Sequence, residues 1–319
     1  MASRTAPVRA ALPRPEDNGF FGPGSPTWKV WTSPTALIGF QRSVVLEHFD
    51  PFLTAAVADM RGIYRDPAGR LDRTLAYFLA VAVADGRTAI EASEFLMKVH
   101  AQATGIEPIS GRRYSANNPA AQLWIHVTGW HSVLKCYERY GPGPLPAEEE
   151  ARYWAESAVA AELQTCKAAD VPRSREQVRE YFAAVRPRLC SSERAHEAMH
   201  YLLRTPRAQG KARLWAVSRL MAPATIATLP KWMRRLGGFD QPVVLDAAIR
   251  PAALAAVRAA RSPRAKLAVL AGTLPATHRA LRQHLLAGSP EREETTTPAL
   301  ARQRHQQPAP RGSGAVASG

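Results

Sequence analysis

Apolar residues return every third or fourth position along most of this chain, and nowhere do they alternate over a convincing strand length. Pro34 opens a helical run, PTALIGFQRSVVLEHF, whose apolar face carries Leu37, Phe40, Val44 and Val45. Pro51 fits the first turn of the next helix, where its missing N–H costs nothing. RDPAGR, residues 65–70, is a turn by composition. The run from about Leu71 to Ala84 is apolar nearly all round, so it belongs at the centre of the molecule. Asp85-Gly86 breaks it, and Thr88 with Glu91 makes a capping-box pattern for a further helix that Gly105 closes as its C′ residue.

After a polar loop, Asn118-Pro119 pairs an N-cap with proline at N1 and starts a helix that reaches Tyr140, with Gly141 beyond. Its apolar stripe is Leu123, His126, Val127, Trp130, Leu134 and Tyr137, which turns His126 inward. AEEEARYW begins another helix with acids where the macrodipole favours them. REQVREYFAAV follows Ser174, and runs near 195–204 and from Lys211 to Ala222 come next. A segment beyond Pro223 ends in Gly-Gly, and helices at about 243–261 and 263–286 complete the pattern. The aromatic stretch Gly19–Pro34, broken by Gly and Pro, is expected to be non-helical and to pack across the domain or over a pocket mouth. The expectation is an all-α fold in one domain, residues 19–287, between a disordered arm (1–18) and a disordered tail (288–319).

Composition narrows the class. With 319 residues and 46% hydrophobic content, the chain can bury a sizeable core. The three cysteines, Cys136, Cys166 and Cys190, show no C-x-x-C spacing, which argues against a disulfide framework or a thiolate zinc site and for reduced thiols. No apolar run approaches the roughly 18 residues a membrane span needs, and the N-terminus lacks a signal-peptide apolar centre. A cytoplasmic protein is expected, with peripheral membrane contact left open. The formal charge is +15, and 13 Lys/Arg against 2 Asp/Glu fall between Arg204 and Lys266. KWMRRLGG mixes Trp and Met with three cations, as an interfacial helix does. Zinc-finger spacing, RRM aromatics and a helix-turn-helix are all missing, so nucleic acid is not expected as a partner. No obligate protein partner is indicated.

The candidate chemistry lies between Arg70 and His131. His100 and His126 fall on inward faces of adjacent helices, and His131 follows close behind. A lone histidine on an apolar face is as a rule a satisfied core residue. Two histidines without nearby carboxylates, and without H-E-x-x-H or E-x-x-H spacing, make a poor zinc or di-iron set. An all-α chain with apolar lining suits haem b better, because one imidazole suffices to hold its iron. Arg70 and Thr74, at i and i+4, either cap a turn or form a pair able to hydrogen-bond dioxygen. Arg73 faces solvent or a haem propionate.

The ordered set GRLDRT, VHAQATG, and YSANNP running into LWIHV resembles the rubber oxygenase / MpaB-type haem oxygenase family, over about residues 20–190. FGPGSPTW and the DPAGR turn are similar to it too. The resemblance implies an all-α fold around haem b, with His100 as the metal ligand. It implies Arg70 and Thr74 on the dioxygen side, Arg73 at the neighbouring basic position, and His126 at a recurrent histidine. Trp130 would help His126 shape the cofactor pocket. The substrate class would be an apolar organic molecule, isoprenoid or secondary-metabolite in kind, oxidised by dioxygen. Two departures stand near the expected pocket: Asp50-Pro51 where relatives often have His-Pro, and VTGWHS, with Trp130 and His131, where an aliphatic-Asp pair is common. The alternatives are a haem peroxidase or desaturase-type oxidase, and a non-catalytic basic helical protein that docks on anionic surfaces.

Overall fold

The computed structural model describes residues 12–59, 66–205, 207 and 212–306. It is an all-α domain built on the crossing of α2 (Thr35–Glu47) with the 22-residue α6 (Pro119–Tyr140). The crossing is close because Gly39 has no side chain: a Cβ there would stand 2.6 Å from Val133 Cα. α4 (Pro67–Val83) lies in the same core. Its Phe78 stacks on Trp31 of α1 (Pro26–Trp31) at 5.4 Å and packs against the backbone of Gly129. α3 (Pro51–Asp59) and α5 (Gly86–Ala101) flank this centre, with α7 (Ala147–Ala161), α8 (Arg175–Val185) and α9 (Glu193–Leu203) beyond. The C-terminal layer is α10 (Ala212–Thr228), α11 (Lys231–Leu236), α12 (Val243–Ala259), α13 (Pro263–Leu270), α14 (Pro275–Leu286) and α15 (Pro298–Gln306).

Most helix starts follow local chemistry. The side chains of Asn118, Ser174, Ser192 and Ser262 each accept a backbone N–H of the first turn that follows. Others are capped at long range: Asp72 of α4 accepts the N–H groups of Ala276 and Thr277, closing the start of α14.

Several expectations are corrected. Gly19–Pro34 is not wholly irregular: Ser25 caps α1, whose first residue is proline. It packs across the domain, with Phe20, Phe21 and Trp31 buried. The 65–70 turn gives way to helix at Pro67, since Asp66 serves as N-cap. Asp85, not Thr88, caps α5, accepting the Thr88 N–H. Gly105 is no helix terminator. It sits in a hairpin of β1 (Thr104–Ile106) and β2 (Arg113–Ser115), under the Tyr114 ring, where a Cβ would meet the phenol oxygen at 2.7 Å. α10 passes through Pro223 without ending, and the single helix expected over 263–286 splits at Gly272, whose φ is 74°.

The two ends are also more ordered than their composition suggests. Asp17 is buried. Its carboxylate accepts the N–H groups of Gly19 and Gly86 and faces Arg292 and Arg304. Thr296 N–H donates to Gly19 O, and α15 packs on α5. Residues 12–18 and 288–306 therefore belong to the packed structure. Residues 1–11 and 307–319 lie outside the described set.

Candidate active site

α2, α3, α4, α5 and α6 border a mainly apolar cavity with about 990 Å³ of atom-free space, counted out to where it meets solvent. Phe40, Val44, Leu71, Phe78 and Leu96 furnish much of its wall. The polar residues that line it are Glu47, His48, Arg70, Thr74, Tyr77, His100, Gln122 and Gln164. An apolar cavity with a small convergent polar set is the usual form of a small-molecule or cofactor site.

Arg70 and Thr74 arrive together because one helical turn of α4 separates them. The Thr74 hydroxyl donates to the Arg70 carbonyl at 3.0 Å. The Arg70 guanidinium has no ion-pair or hydrogen-bond partner among the described residues. Burial lowers its pKa, and Glu47 is the carboxylate that counters this. Arg73 turns away: its side chain is 64% exposed and pairs with Asp66 at 3.6 Å on the surface. Of the two places expected for Arg73, solvent or a haem propionate, its side chain takes the solvent one and does not line the cavity.

His100 lines the cavity from the last turn of α5. The Gln122 amide holds it, donating to Ala116 O (2.6 Å) and to His100 Nδ1 (3.2 Å). Burial, and then the charge of Arg70, lower its pKa to about 4, so the ring is neutral near pH 7.

His126 and Trp130 lie elsewhere. Gln122 and Ile125 are the α6 positions turned to the cavity, while His126 and Trp130 face α7. His126 Nε2–H donates to Ser157 O at 2.9 Å and lies 3.0 Å from Ser157 Oγ. Trp130 is packed by Trp31, Tyr153 and Phe21. Neither residue touches the cavity, so the pocket-shaping role expected of this pair is not met; they form a core aromatic cluster. α6 is buried over most of its circumference, which is why an inward position did not tell the cavity from the core. His131 faces a different cavity, beside Arg42.

Two residues of this site did not enter the candidate set: Glu47 and His48. His48 Nδ1–H donates to Val44 O at 2.6 Å, and a carbonyl can only accept, so Nε2 keeps the lone pair. That nitrogen is buried and has no partner among the described residues. Burial pulls the His48 pKa down to about 4. Glu47 accepts the Ser43 hydroxyl at 2.5 Å, and burial raises its pKa to about 7 despite Ser43 and Arg70. A signal did exist: a carboxylate in the last turn of an apolar helix opposes the macrodipole, and needs another reason to be there. The Asp50 departure also has a local cause, since its carboxylate accepts the Phe52 and Leu53 N–H groups and caps α3.

Helices closed around an apolar cavity, with imidazole, guanidinium and carboxyl groups converging on it, define an all-α protein of small-molecule chemistry. Residues 28–262 match the family model of the ER-bound oxygenase mpaB/B′/rubber oxygenase catalytic domain. That match covers well over half of the chain, which belongs to this family of oxygenases. No match was found among curated proteins or solved structures.

Proposed function

We propose that this oxygenase-family protein binds b-type haem in the central cavity and uses dioxygen to oxidise an apolar organic molecule there. The observation that carries the reading is the cavity's donor set: two neutral imidazoles, one with a buried Nε2 lone pair that has no partner among the described residues, in a largely apolar cavity. Among the described residues no group of three or more His, Cys, Asp or Glu side chains is placed to hold a bare metal ion, whereas haem iron needs only one protein nitrogen. These residues fit the group.

His100 is the proposed iron ligand, in line with its place in the family pattern; its Nε2 becomes free to bind iron once the Gln122 amide turns to present its oxygen to Nδ1–H. Haem, when bound, would supply the iron centre at which dioxygen is activated, with the electrons coming from the substrate that is oxidised. Arg70, which has no hydrogen-bond or ion-pair contact among the described residues and, as counter-charge, feels only the nearby Glu47, offers N–H donors to negative charge that develops on dioxygen, or to a carboxylate. Thr74 fixes the Arg70 turn of α4 and presents its oxygen beside it. Glu47, with a proton affinity near neutrality, takes up or releases a proton at its carboxyl inside a space that excludes water. His48 Nε2 accepts a hydrogen bond from whatever polar group enters. The apolar walls select an apolar substrate. Family membership favours this reading over a non-catalytic binder of anionic surfaces.

A pyridine haemochromogen spectrum of the purified protein tests the cofactor. His100→Leu should abolish haem retention, and His48→Leu should keep it while changing the absorption spectrum. The reverse pattern would transfer the ligand role to His48. A wild-type protein that takes up no haem would end the cofactor reading. Product analysis under dioxygen against peroxide distinguishes an oxygenase from a peroxidase.

A further inference from the structure

α2 borders several cavities, two of them on opposite sides of the helix. Phe40, Val44 and Glu47 face the central one, while Arg42 and Leu46, on the opposite side of the helix, face a second with about 1060 Å³ of atom-free space. This second cavity lies among α2, α6, α8 and α11, and nothing in the proposed chemistry uses it.

Its charge is one-sided. Arg42, Lys135, Arg175, Arg179 and Arg186 border it with the carboxylate of Glu138. That carboxylate is already engaged, paired at 2.5 Å with Arg175, which also holds Glu150 at 2.7 Å. Glu176 pairs with Arg179 at 3.5 Å, so Arg42, Lys135 and Arg186 are the cavity's uncommitted cations among the described residues. Arg42 is only 2% exposed, yet no carboxylate pairs with it among the described residues. Its Nη1 donates to Ser132 Oγ at 2.6 Å and lies 3.4 Å from His131 Nδ1, and its Nε reaches Thr228 O at 3.4 Å. These are neutral partners. A buried guanidinium with neutral partners alone is strongly disfavoured, and burial lowers its pKa to about 10. His131 supplies no counter-charge either, since an imidazole is neutral or cationic, and burial, then Arg42 and Lys135, hold this one neutral. The remaining wall is apolar and aromatic: Leu134 and Phe182 line it, and Arg186 lies over the Trp232 ring at 4.6 Å.

We propose that this second cavity binds an amphiphilic anion. A carboxylate or phosphate head would sit against Arg42, Lys135 and Arg186, with its apolar body against Phe182 and Trp232. An oxyanion supplies the counter-charge that Arg42 lacks, through charge-assisted hydrogen bonds a neutral ligand cannot make.

Isothermal titration calorimetry on the full chain tests this with decanoate, decyl phosphate, decanol and inorganic phosphate. Decanoate or decyl phosphate should bind saturably at one site, at least tenfold tighter than either decanol or inorganic phosphate. The tighter of the two anions identifies the head. Arg42→Met should weaken binding at least tenfold. Because that change also removes internal hydrogen bonds, its fold is checked by circular dichroism. The double variant Lys135→Gln, Arg186→Gln, at partly open positions, gives the second test and should also lose at least tenfold. Decanol binding as tightly as decanoate, or phosphate as tightly as decyl phosphate, would overturn the proposal. So would no binding at all, or a double variant that binds like wild type, which would place the ligand elsewhere.

Discussion

His126 is a buried imidazole held neutral, and that state has a measurable consequence in acid. Burial lowers its pKa from 6.5 to about 4, with the Ser157 carbonyl partly opposing. The unfolded chain therefore takes up a proton near pH 6.5 that the folded chain refuses until about pH 4. The sign follows: this residue's contribution is fully present above pH 6.5 and is lost as pH falls toward 4. At roughly 1.4 kcal/mol per unit, the whole loss comes to about 3 kcal/mol, and about 2 kcal/mol of it has gone by pH 5. The perturbation is His126→Gln, which keeps an N–H for Ser157 O but cannot charge. Urea unfolding at pH 7.5 and 5.0 gives the stability of both proteins. At pH 7.5 the variant should be weaker by about 1–3 kcal/mol, for the lost packing and a less ideal hydrogen bond. Between the two pH values the gap should narrow by about 2 kcal/mol. A gap that stays constant would refute the buried, neutral assignment. Glu47 pulls the other way, since its raised pKa stabilises the fold at low pH and loses that contribution as pH rises through 7. The comparison with the variant cancels this, because Glu47 is present in both.

Gly39→Ala should lower stability by about 1–3 kcal/mol, because the added methyl meets Val133 Cα across the α2–α6 crossing; a thermal melt checks it. Asp17→Ala should cost about 2 kcal/mol, leaving the N–H groups of Gly19 and Gly86 unanswered while Arg292 and Arg304 keep Glu294; faster limited proteolysis near α15 is the expected sign. Arg73→Ala should change stability by no more than about 0.5 kcal/mol and leave haem content intact, since its pair with Asp66 is at the surface.

Local pattern alone determined that the chain is helical and where most of its helices begin. The caps at Asn118, Ser174 and Ser192 satisfy N–H groups within three residues, so a short stretch of sequence contains the whole interaction. The placing of Arg70 beside Thr74 was legible for the same reason, being one turn of one helix. Tertiary structure decided the rest. Apolar periodicity shows that a face is buried, and says nothing of what covers it. On α6, buried nearly all round, only the positions of α5 and α7 separate the cavity-facing Gln122 from the core-facing His126. Glu47 and His48 join Arg70 and His100 because α2, α4 and α5 close around one space, and the ends of the chain are held by Asp17 reaching the start of α5. Such contacts join residues far apart in sequence, and their energy exists only once the helices have met.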